Sequence, residues 1–293
     1  MLREHDLRLT KRLGQHHLID SRIIRRVVDA CQLTGEETVV EIGAGLGALT
    51  ESIAQRAGRV VAVEVDPRIC ALLRSRMRTC RNVSVVCQDI LVFPWERMGP
   101  VIAVGAIPYS ITSPILVSLS KHRRTIQQSV LIMQREVADR LLARSGTKSY
   151  GRLSVLAQYG WELTPLMSIP RNAFFPQPEV DSTCVRCVAR ASPATAVENE
   201  EMFFELVKAA FAHRRKSLVN CLREYAGNHL ERSHVEYILR DLSLPVSVRG
   251  EALTLQQFAS LTNALLRMNQ PFLINYKKSD RRKPDGIKKV ALP

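Results

Sequence analysis

The sequence is poor in aromatic residues, in acidic residues and in long hydrophobic runs. Phe, Trp and Tyr make up 5% of its 293 residues, and 28 Asp and Glu oppose 42 Lys and Arg. Apolar runs such as residues 60–63 and 101–104 are far shorter than the about 18 residues that a membrane-spanning helix needs. The first residues also lack the apolar stretch of a signal peptide. These absences predict a protein without a membrane segment.

Cysteine occurs in an odd number and without an export signal. Seven cysteines spread along the chain favour free thiols in the reducing cytoplasm over a disulfide framework. Cys184 and Cys187 have no second cysteine pair at zinc spacing, so we expect no metal site. The formal net charge of +14 favours a polyanionic partner such as nucleic acid. No feature predicts an obligate dimer, and we expect a monomer.

The chain is predicted to be an α/β domain followed by a small helical domain. Short β-branched runs alternate with segments of helical composition, which is typical of βαβ units and a mostly parallel, Rossmann-like sheet. The predicted strands are residues 38–42, 59–64, 83–87, 101–104, 129–133 and 181–188. We assign residues 1–190 to the first domain, 191–200 to a linker, 201–275 to the helical domain and 276–293 to a basic tail. An apolar stripe from Phe204 to Leu222 predicts one amphipathic helix, and residues 235–242 and 255–268 predict two more.

A glycine cluster after the first of these strands predicts a nucleotide site. Gly43 and Gly45 lead from residues 38–42 into a helix, and glycines at such a junction let the backbone approach a ligand closely. Glu64 ends the next strand, where a carboxylate can accept hydrogen bonds from both ribose hydroxyls. Asp89 follows the third strand and either accepts from an adenine amino group or caps a helix. The pattern fits NAD and other adenosine cofactors alike.

Two aromatic residues on proline-stiffened loops predict a pocket for a flat ring. Tyr109 follows Pro108 near the carboxyl end of strand 101–104, the edge at which parallel sheets bind ligands. Phe174 lies on a second proline-rich loop, and an aromatic ring is suited to stacking on a base. Each residue alone is more typical of a core. Beside the glycine cluster, they predict two walls of a base pocket.

The ordered set of motifs resembles the ribosomal RNA adenine dimethyltransferases, and among them the bacterial KsgA group, which dimethylates adenines of small-subunit ribosomal RNA. Residues 11–18 are close to the family's Lys-Arg-x-Gly-Gln-x-Phe-Leu opening, and residues 174–182 fit its Phe-x-Pro-x-Pro-x-Val-x-Ser pattern. One such motif would be weak, but the similarity extends over residues 8–266. Its further motifs are residues 41–50, Glu64, 88–89, 107–109, 134–138, 150–154, 214–218 and 249–254.

The resemblance implies an S-adenosylmethionine-dependent methyltransferase that uses no metal. The opening segment would cover the cofactor, the glycine cluster would approach its methionine end, and the two carboxylates would hold its ribose and adenine. The target adenine would leave its stack and lie against the two aromatic rings. The residues implied are His16, Leu18, Gly43, Gly45, Glu64, Asp89 and Ala106 for the cofactor, and Ala106, Ile107, Pro108, Tyr109 and Phe174 for the reaction.

Ala106 departs from the family pattern, which has asparagine at this position. The asparagine amide oxygen would accept a hydrogen bond from the target amino group, and alanine has no acceptor. By analogy with a lost oxyanion-hole donor, the rate penalty is on the order of 10²–10³. The alanine is either a natural variation or an engineered substitution. We therefore expect S-adenosylmethionine to bind while methyl transfer is slow.

Two basic clusters are candidate contacts with ribosomal RNA. One comprises Lys121, Arg123 and Arg124, and the other Arg214, Arg215 and Lys216. Phosphate contacts supply affinity without sequence choice and weaken steeply with salt. By the resemblance, the partners are small-subunit ribosomal RNA and the immature small ribosomal subunit.

Three alternative functions remain open. A ribosome-binding assembly factor would keep the fold and the docking surface and perform little or no chemistry. A large-subunit ribosomal RNA adenine methylase would share the first domain, although residues 249–254 are more similar to the small-subunit group. An NAD dehydrogenase would share the glycine cluster, but it leaves residues 107–109 and the Phe174 loop unexplained.

Overall fold

The computed structural model describes residues 16–226 and 230–268 of the chain. Three sequence predictions lie outside the described residues: the start of the opening motif at residues 11–15, the end of the helical domain at 269–275, and the basic tail at 276–293. Within the described part, no helix is long and apolar enough to cross a membrane.

A seven-stranded sheet forms the centre of the first unit. In chain order the strands are β1 (His17–Leu18), β2 (Thr38–Ile42), β3 (Arg59–Glu64), β4 (Val83–Cys87), β5 (Val101–Ala106), β6 (Ile126–Gln134), β7 (Trp161–Ile169), β8 (Phe174–Phe175) and β9 (Ser182–Ala189). The sheet has the order β4-β3-β2-β5-β6-β9-β7, and β1 pairs separately with β8. The neighbours from β4 to β6 are parallel, whereas β9 is antiparallel to both β6 and β7. The strand order reverses between β2 and β5, which creates a crevice at their carboxyl ends.

Ten helices accompany these strands in the described part of the chain. They are α1 (Ser21–Ala30), α2 (Ala48–Ala54), α3 (Pro67–Arg76), α4 (Thr112–Lys121), α5 (Arg135–Leu142), α6 (Arg152–Gly160), α7 (Glu200–Ala210), α8 (Leu218–Tyr225), α9 (Arg232–Asp241) and α10 (Leu255–Arg267). Side-chain caps fix several of their first turns. Asp20 accepts from the amides of Arg22 and Ile23 at α1, and Asp66 accepts from that of Arg68 at α3, which begins with a proline. Because Asp20 follows β1 by two residues, this cap also fixes where the chain leaves its pairing with β8 and enters α1.

The chain divides into two compact units with a boundary that differs from the predicted one. Of the described residues, the first unit contains 16–139 and 160–191, and the second contains 140–159, 192–226 and 230–268. We expected residues 140–159 in the first domain. They belong to the second unit because Tyr150, Val155 and Tyr159 are part of its apolar core, where the Tyr159 ring lies 4.8 Å from that of Phe203.

The predicted fold class is confirmed, with two corrections to its elements. Strand β7 was not predicted because Thr164 and Pro165 interrupt its apolar pattern; it lies at the sheet edge and has a bulge at Pro165, where proline is tolerated. The prediction of one helix from Phe204 to Leu222 was wrong. The basic run that ends at Lys216 separates α7 from α8, and the Ser217 side chain caps the second helix.

Candidate functional site

A cleft lies at the carboxyl ends of β2, β3, β4 and β5 in the first unit, at the crevice between β2 and β5. Its empty space, counted with the open mouth, is about 780 Å³, and its lining is mostly apolar. An apolar lining with a few polar groups suits a small-molecule site. All predicted cofactor and base residues except Leu18 line it: His16, Gly43, Gly45, Glu64, Asp89, Ala106, Ile107, Pro108, Tyr109 and Phe174.

The glycine loop and Glu64 form the floor of the cleft. Gly45 has a φ of +55°, a conformation that favours glycine, and an added Cβ would lie 2.6 Å from His17 Nδ1. The buried Glu64 carboxylate accepts from the Gly45 amide at 2.9 Å and from the amides of Val65 and Asp66 at 3.0 Å each. An ionised carboxylate offers about four acceptor positions. Glu64 therefore holds the loop in place and retains acceptor capacity for a ligand hydroxyl.

Asp89 can both cap a helical turn and accept a hydrogen bond from a ligand amino group, the two roles that the sequence left open. Its Oδ1 accepts from the Leu91 amide at 2.9 Å, which caps the short helical turn Ile90–Val92. The side chain is exposed and lines the cleft at the end of β4. Capping uses one carboxylate oxygen, so Oδ2 remains available to accept from an amino group.

Tyr109 is fixed by two neighbours. Its hydroxyl lies 2.9 Å from the hydroxyl of Ser182, the buried first residue of β9. Burial raises the pKa of the Tyr109 phenol, so the ring is neutral near pH 7. The His16 ring lies against Tyr109, with 5.3 Å between ring centroids and a tilt of 31°. The His16 Nδ1 is in turn 2.7 Å from the carbonyl oxygen of Pro176. Ser182, in β9, and Pro176, in the loop after β8, thus hold the ring pair from two sides of the chain.

Three residues behave differently from the predictions. Leu18 is 4% exposed and belongs to the core of the first unit, so it does not cover the cleft. Phe174 pairs with Leu18 across β1 and β8 and is also buried, although it lines the cleft. His17 lines the cleft as well and was missed. The sequence could have indicated His17 by its position, because it occupies the phenylalanine position of the opening motif that residues 11–18 resemble.

His17 is a neutral ring pressed against the glycine loop. Burial lowers its pKa, and the neighbouring His16 lowers it further. Its Nε2 is buried and has no hydrogen-bond partner among the described residues. The ring therefore serves as a wall over Gly45.

Ala106 ends β5 with a side chain that can neither donate nor accept a hydrogen bond. The next residue, Ile107, is 2% exposed, and its amide donates to the Ile132 carbonyl at 2.9 Å. The backbone that leads to Pro108 and Tyr109 is therefore anchored to β6. The polar group that the resemblance implies at position 106 is absent, while the backbone around this position is held in place.

The cluster of Lys121, Arg123 and Arg124 lies at the edge of the sheet opposite the cleft. It extends from the last residue of α4 to the turn before Ile126, which pairs with Val101 at the start of β5. The cleft is formed at the other ends of these strands. The structure therefore does not bring this cluster to the predicted base pocket.

In the second unit, the cluster between α7 and α8 is largely paired with acids and carbonyls. Arg214 donates to the Lys148 carbonyl at 2.6 Å and bridges Glu251 at 3.2 Å. Lys216 bridges Glu224 at 2.6 Å. Arg215 is exposed and has no ion pair within residues 16–226 and 230–268. Of the three, Arg215 is the cation most available to a phosphate.

The described residues contain no group of three or more His, Cys, Asp and Glu side chains that could hold a metal. Cys184 and Cys187 are both buried on β9, which is an inner strand of the sheet. Burial raises the pKa of each thiol to about 12, so both stay protonated. These two cysteines are core residues.

The chain is similar to known ribosomal RNA methyltransferases over most of its length. It is 39% identical over 274 residues to ribosomal RNA small subunit methyltransferase A of Geobacillus sp. (strain WCH70), covering 90% of this chain and 94% of that protein. It is 40% identical over 271 residues to the protein of the same name from Syntrophus aciditrophicus (strain SB), covering 90% and 97%.

Solved structures of RNA methyltransferases share the fold of this chain. The 23S rRNA methyltransferase ErmE matches with a TM-score of 0.64 and 28% identity over 85% of this chain and 98% of its own. A dimethyladenosine transferase from Plasmodium falciparum shares the fold, with a TM-score of 0.72 and 24% identity over 87% of this chain and 98% of its own. The profile of the ribosomal RNA adenine dimethylases matches residues 7–260. The chain belongs to the ribosomal RNA adenine dimethylase family.

Proposed function

We propose that this protein uses S-adenosylmethionine to dimethylate the exocyclic amino groups of adjacent adenines in small-subunit ribosomal RNA. The substrate is the immature small ribosomal subunit, and the protein acts as a cytoplasmic monomer. The names of its relatives support the choice of the small subunit. The observation that carries the proposal is one cleft that joins the Gly45–Glu64 floor to the Tyr109 ring.

The polar groups of the cleft fit S-adenosylmethionine. Glu64 retains acceptor capacity for the ribose hydroxyls, and Asp89 Oδ2 can accept from the adenine amino group. The backbone at Gly43 and Gly45 has positive φ and carries no Cβ, so this loop can approach a ligand closely. When bound, S-adenosylmethionine supplies a methyl group on a positively charged sulfur, which is already a potent electrophile. These residues then need only hold it in line with the attacking nitrogen.

The rings of Tyr109 and Phe174, which line the cleft, replace the stacking that a target adenine loses when it leaves its helix. Tyr109 offers a half-buried ring whose orientation is set by Ser182. Phe174 adds a second, buried apolar surface. Unstacking a base costs a few kcal/mol, and stacking on an aromatic side chain returns about 1–3 kcal/mol. The base is therefore held by its flat faces, which leaves its amino edge free to face the cleft.

Ala106 makes the transfer slow. The exocyclic nitrogen is a poor nucleophile because its lone pair is delocalised into the purine ring. An acceptor that binds the amino protons favours the pyramidal nitrogen and stabilises the charge that develops in the transition state. The alanine removes that acceptor, and the expected penalty is on the order of 10²–10³ in rate. Binding of S-adenosylmethionine is preserved because the glycine loop, Glu64 and Asp89 are present.

Docking to ribosomal RNA uses the phosphate contacts of the basic residues. Arg215 has no ion pair among the described residues, whereas Arg214 and Lys216 would have to exchange their acidic partners for phosphates. Lys121, Arg123 and Arg124 would contact RNA at the sheet edge away from the base pocket. These contacts would therefore set affinity, and the cleft would select the base.

Three RNA substrates test this function. Tritium transfer from labelled S-adenosylmethionine is measured with immature small subunits, mature small subunits and large-subunit RNA, and calorimetry measures cofactor binding. We expect measurable cofactor binding and slow transfer to adenines of the immature small subunit. Glu64→Ala is the control that should lose both. Transfer to large-subunit RNA instead would refute the substrate, and cofactor-independent binding to immature subunits without any transfer would favour an assembly factor.

A further inference from the structure

We propose that His16 Nε2 accepts a hydrogen bond from the target amino group and supports the slow transfer that remains when position 106 is alanine. The inference rests on the proposed adenine methylation and adds a reacting side chain to it. The family resemblance implies only that His16 covers the cofactor, whereas this proposal places it at the target base.

The contacts of His16 leave one ring nitrogen with a free lone pair. Nδ1 lies 2.7 Å from the carbonyl oxygen of Pro176. A carbonyl oxygen only accepts, so Nδ1 must carry the proton in this bond. In a neutral imidazole the other nitrogen is then an acceptor. The Pro176 carbonyl therefore fixes the tautomer in which Nε2 can bind an amino proton.

The His16 ring also lies in the right part of the cleft. It contacts the Tyr109 ring, the stacking surface proposed for the target adenine, with 5.3 Å between the centroids. Both residues line the cleft with Ala106. A hydrogen-bond acceptor beside the stacking ring, in the cleft that position 106 also lines, is therefore the candidate to bind the amino edge of a base held there.

The acceptor capacity that Glu64 and Asp89 retain is assigned to the cofactor in the proposed function. Glu64 accepts from three backbone amides, and the Tyr109 hydroxyl is bonded to Ser182. Asp89 caps a turn at the end of β4, the outermost strand of the sheet on that side. The His17 ring is pressed onto Gly45. Among the described lining residues, His16 is the one whose ring touches Tyr109 and whose acceptor is uncommitted.

The methyl transfer releases one proton from the amino nitrogen, and His16 Nε2 would accept it. The amino nitrogen uses its lone pair to form the new N–CH₃ bond while the methyl–sulfur bond of S-adenosylmethionine breaks and its electron pair stays on sulfur. The nitrogen must then lose one proton. His16 Nε2 accepts the hydrogen bond before transfer, takes up this proton afterwards and releases it to water.

A double-mutant cycle between positions 16 and 106 tests the proposal. His16→Phe keeps a flat ring and removes the acceptor, whereas His16→Asn keeps an amide acceptor without the ring. The turnover number for tritium transfer is measured at saturating S-adenosylmethionine and immature subunits, in the Ala106 chain and in the Ala106→Asn variant. His122→Phe is the matched control, because the His122 Nδ1 also lies 2.8 Å from a carbonyl, that of Ser118, but at the opposite edge of the sheet.

We expect His16→Phe to lower turnover about ten times more in the Ala106 chain than in the Ala106→Asn variant, which supplies its own acceptor. His16→Asn should retain several times the turnover of His16→Phe, and His122→Phe should match the unaltered chain. Thermal unfolding of each variant identifies a loss of folding. Equal losses in both backgrounds, or equal turnover of His16→Asn and His16→Phe, would overturn the proposal. If even Ala106→Asn transfers no methyl, the proposed function itself fails.

Discussion

Replacing Gly45 by alanine tests whether the glycine loop and His17 shape the cofactor site together. Two costs are expected. The φ of +55° is unfavourable for a residue with a Cβ by about 1–2 kcal/mol. In addition, the new Cβ would lie 2.6 Å from Nδ1 and 2.8 Å from Cε1 of His17, closer than van der Waals contact allows. The backbone cannot yield easily because the Gly45 amide is bonded to Glu64. The His17 ring must therefore move into the cleft.

The matched control is Gly35→Ala. Gly35 also has a positive φ, of +103°, but its added Cβ would meet nothing closer than the Arg56 carbonyl at 4.0 Å. Both variants should lose stability through backbone strain, measured by equilibrium denaturation. Only Gly45→Ala should also lose affinity for S-adenosylmethionine, by about tenfold, which corresponds to about 1.4 kcal/mol.

A second substitution separates the ring from the loop. Adding His17→Ala to Gly45→Ala removes the colliding atoms, so the affinity of the double variant should return to within about threefold of that of His17→Ala alone. Calorimetric titration with S-adenosylmethionine measures all three variants. Unchanged affinity in Gly45→Ala, with the expected loss of stability, would refute this account of the site.

Three further predictions address single groups. Burial and the nearby Glu64 raise the pKa of Glu41 to about 8, although the hydrogen bond from Thr50 opposes this rise. Protonated Glu41 therefore contributes fully to the stability of the fold below about pH 4.5. This contribution is lost as the pH rises through 8, at no more than about 1.4 kcal/mol per pH unit. Denaturation of Glu41→Gln between pH 5 and 8 should lack this slope, and an identical slope would contradict the raised pKa. Asp89→Ser keeps a cap for the Leu91 amide and should preserve the melting temperature while lowering cofactor affinity several-fold; equal affinity would remove Asp89 from the site. Arg215→Glu should weaken binding to small-subunit RNA and reduce the slope of log affinity against log salt by about one, whereas an unchanged slope would exclude a phosphate contact.

The sheet and most of the cleft were predictable because their signals are local. Strands β2, β3 and β4 have the predicted bounds, since each is a short β-branched run between polar segments. The glycine loop and Glu64 meet at one edge because parallel strands all end there. Tyr109 and Phe174 were predicted from aromatic residues on proline-stiffened loops, and both line the cleft, although Phe174 is buried.

The differences depend on contacts between residues that are distant in sequence. Nothing in the sequence around Tyr159 distinguishes it from other apolar residues, and its packing against Phe203 shows that residues 140–159 belong to the second unit. The Tyr109–Ser182 bond spans 73 residues and the His16–Pro176 bond spans 160. No spacing rule indicates such pairs. The ion pairs of Arg214 and Lys216 were likewise invisible in a run of basic residues.

The most direct test of the central claim is the turnover of Ala106→Asn relative to the unaltered chain. Tritium transfer to adenines of immature small subunits is measured at saturating S-adenosylmethionine, and calorimetry confirms that both proteins bind the cofactor. We predict equal cofactor affinity within about threefold and a gain in turnover on the order of 10²–10³ for Ala106→Asn. Equal cofactor binding with no gain in turnover would contradict the claim that the cleft is a methyl-transfer site limited by the missing acceptor at position 106.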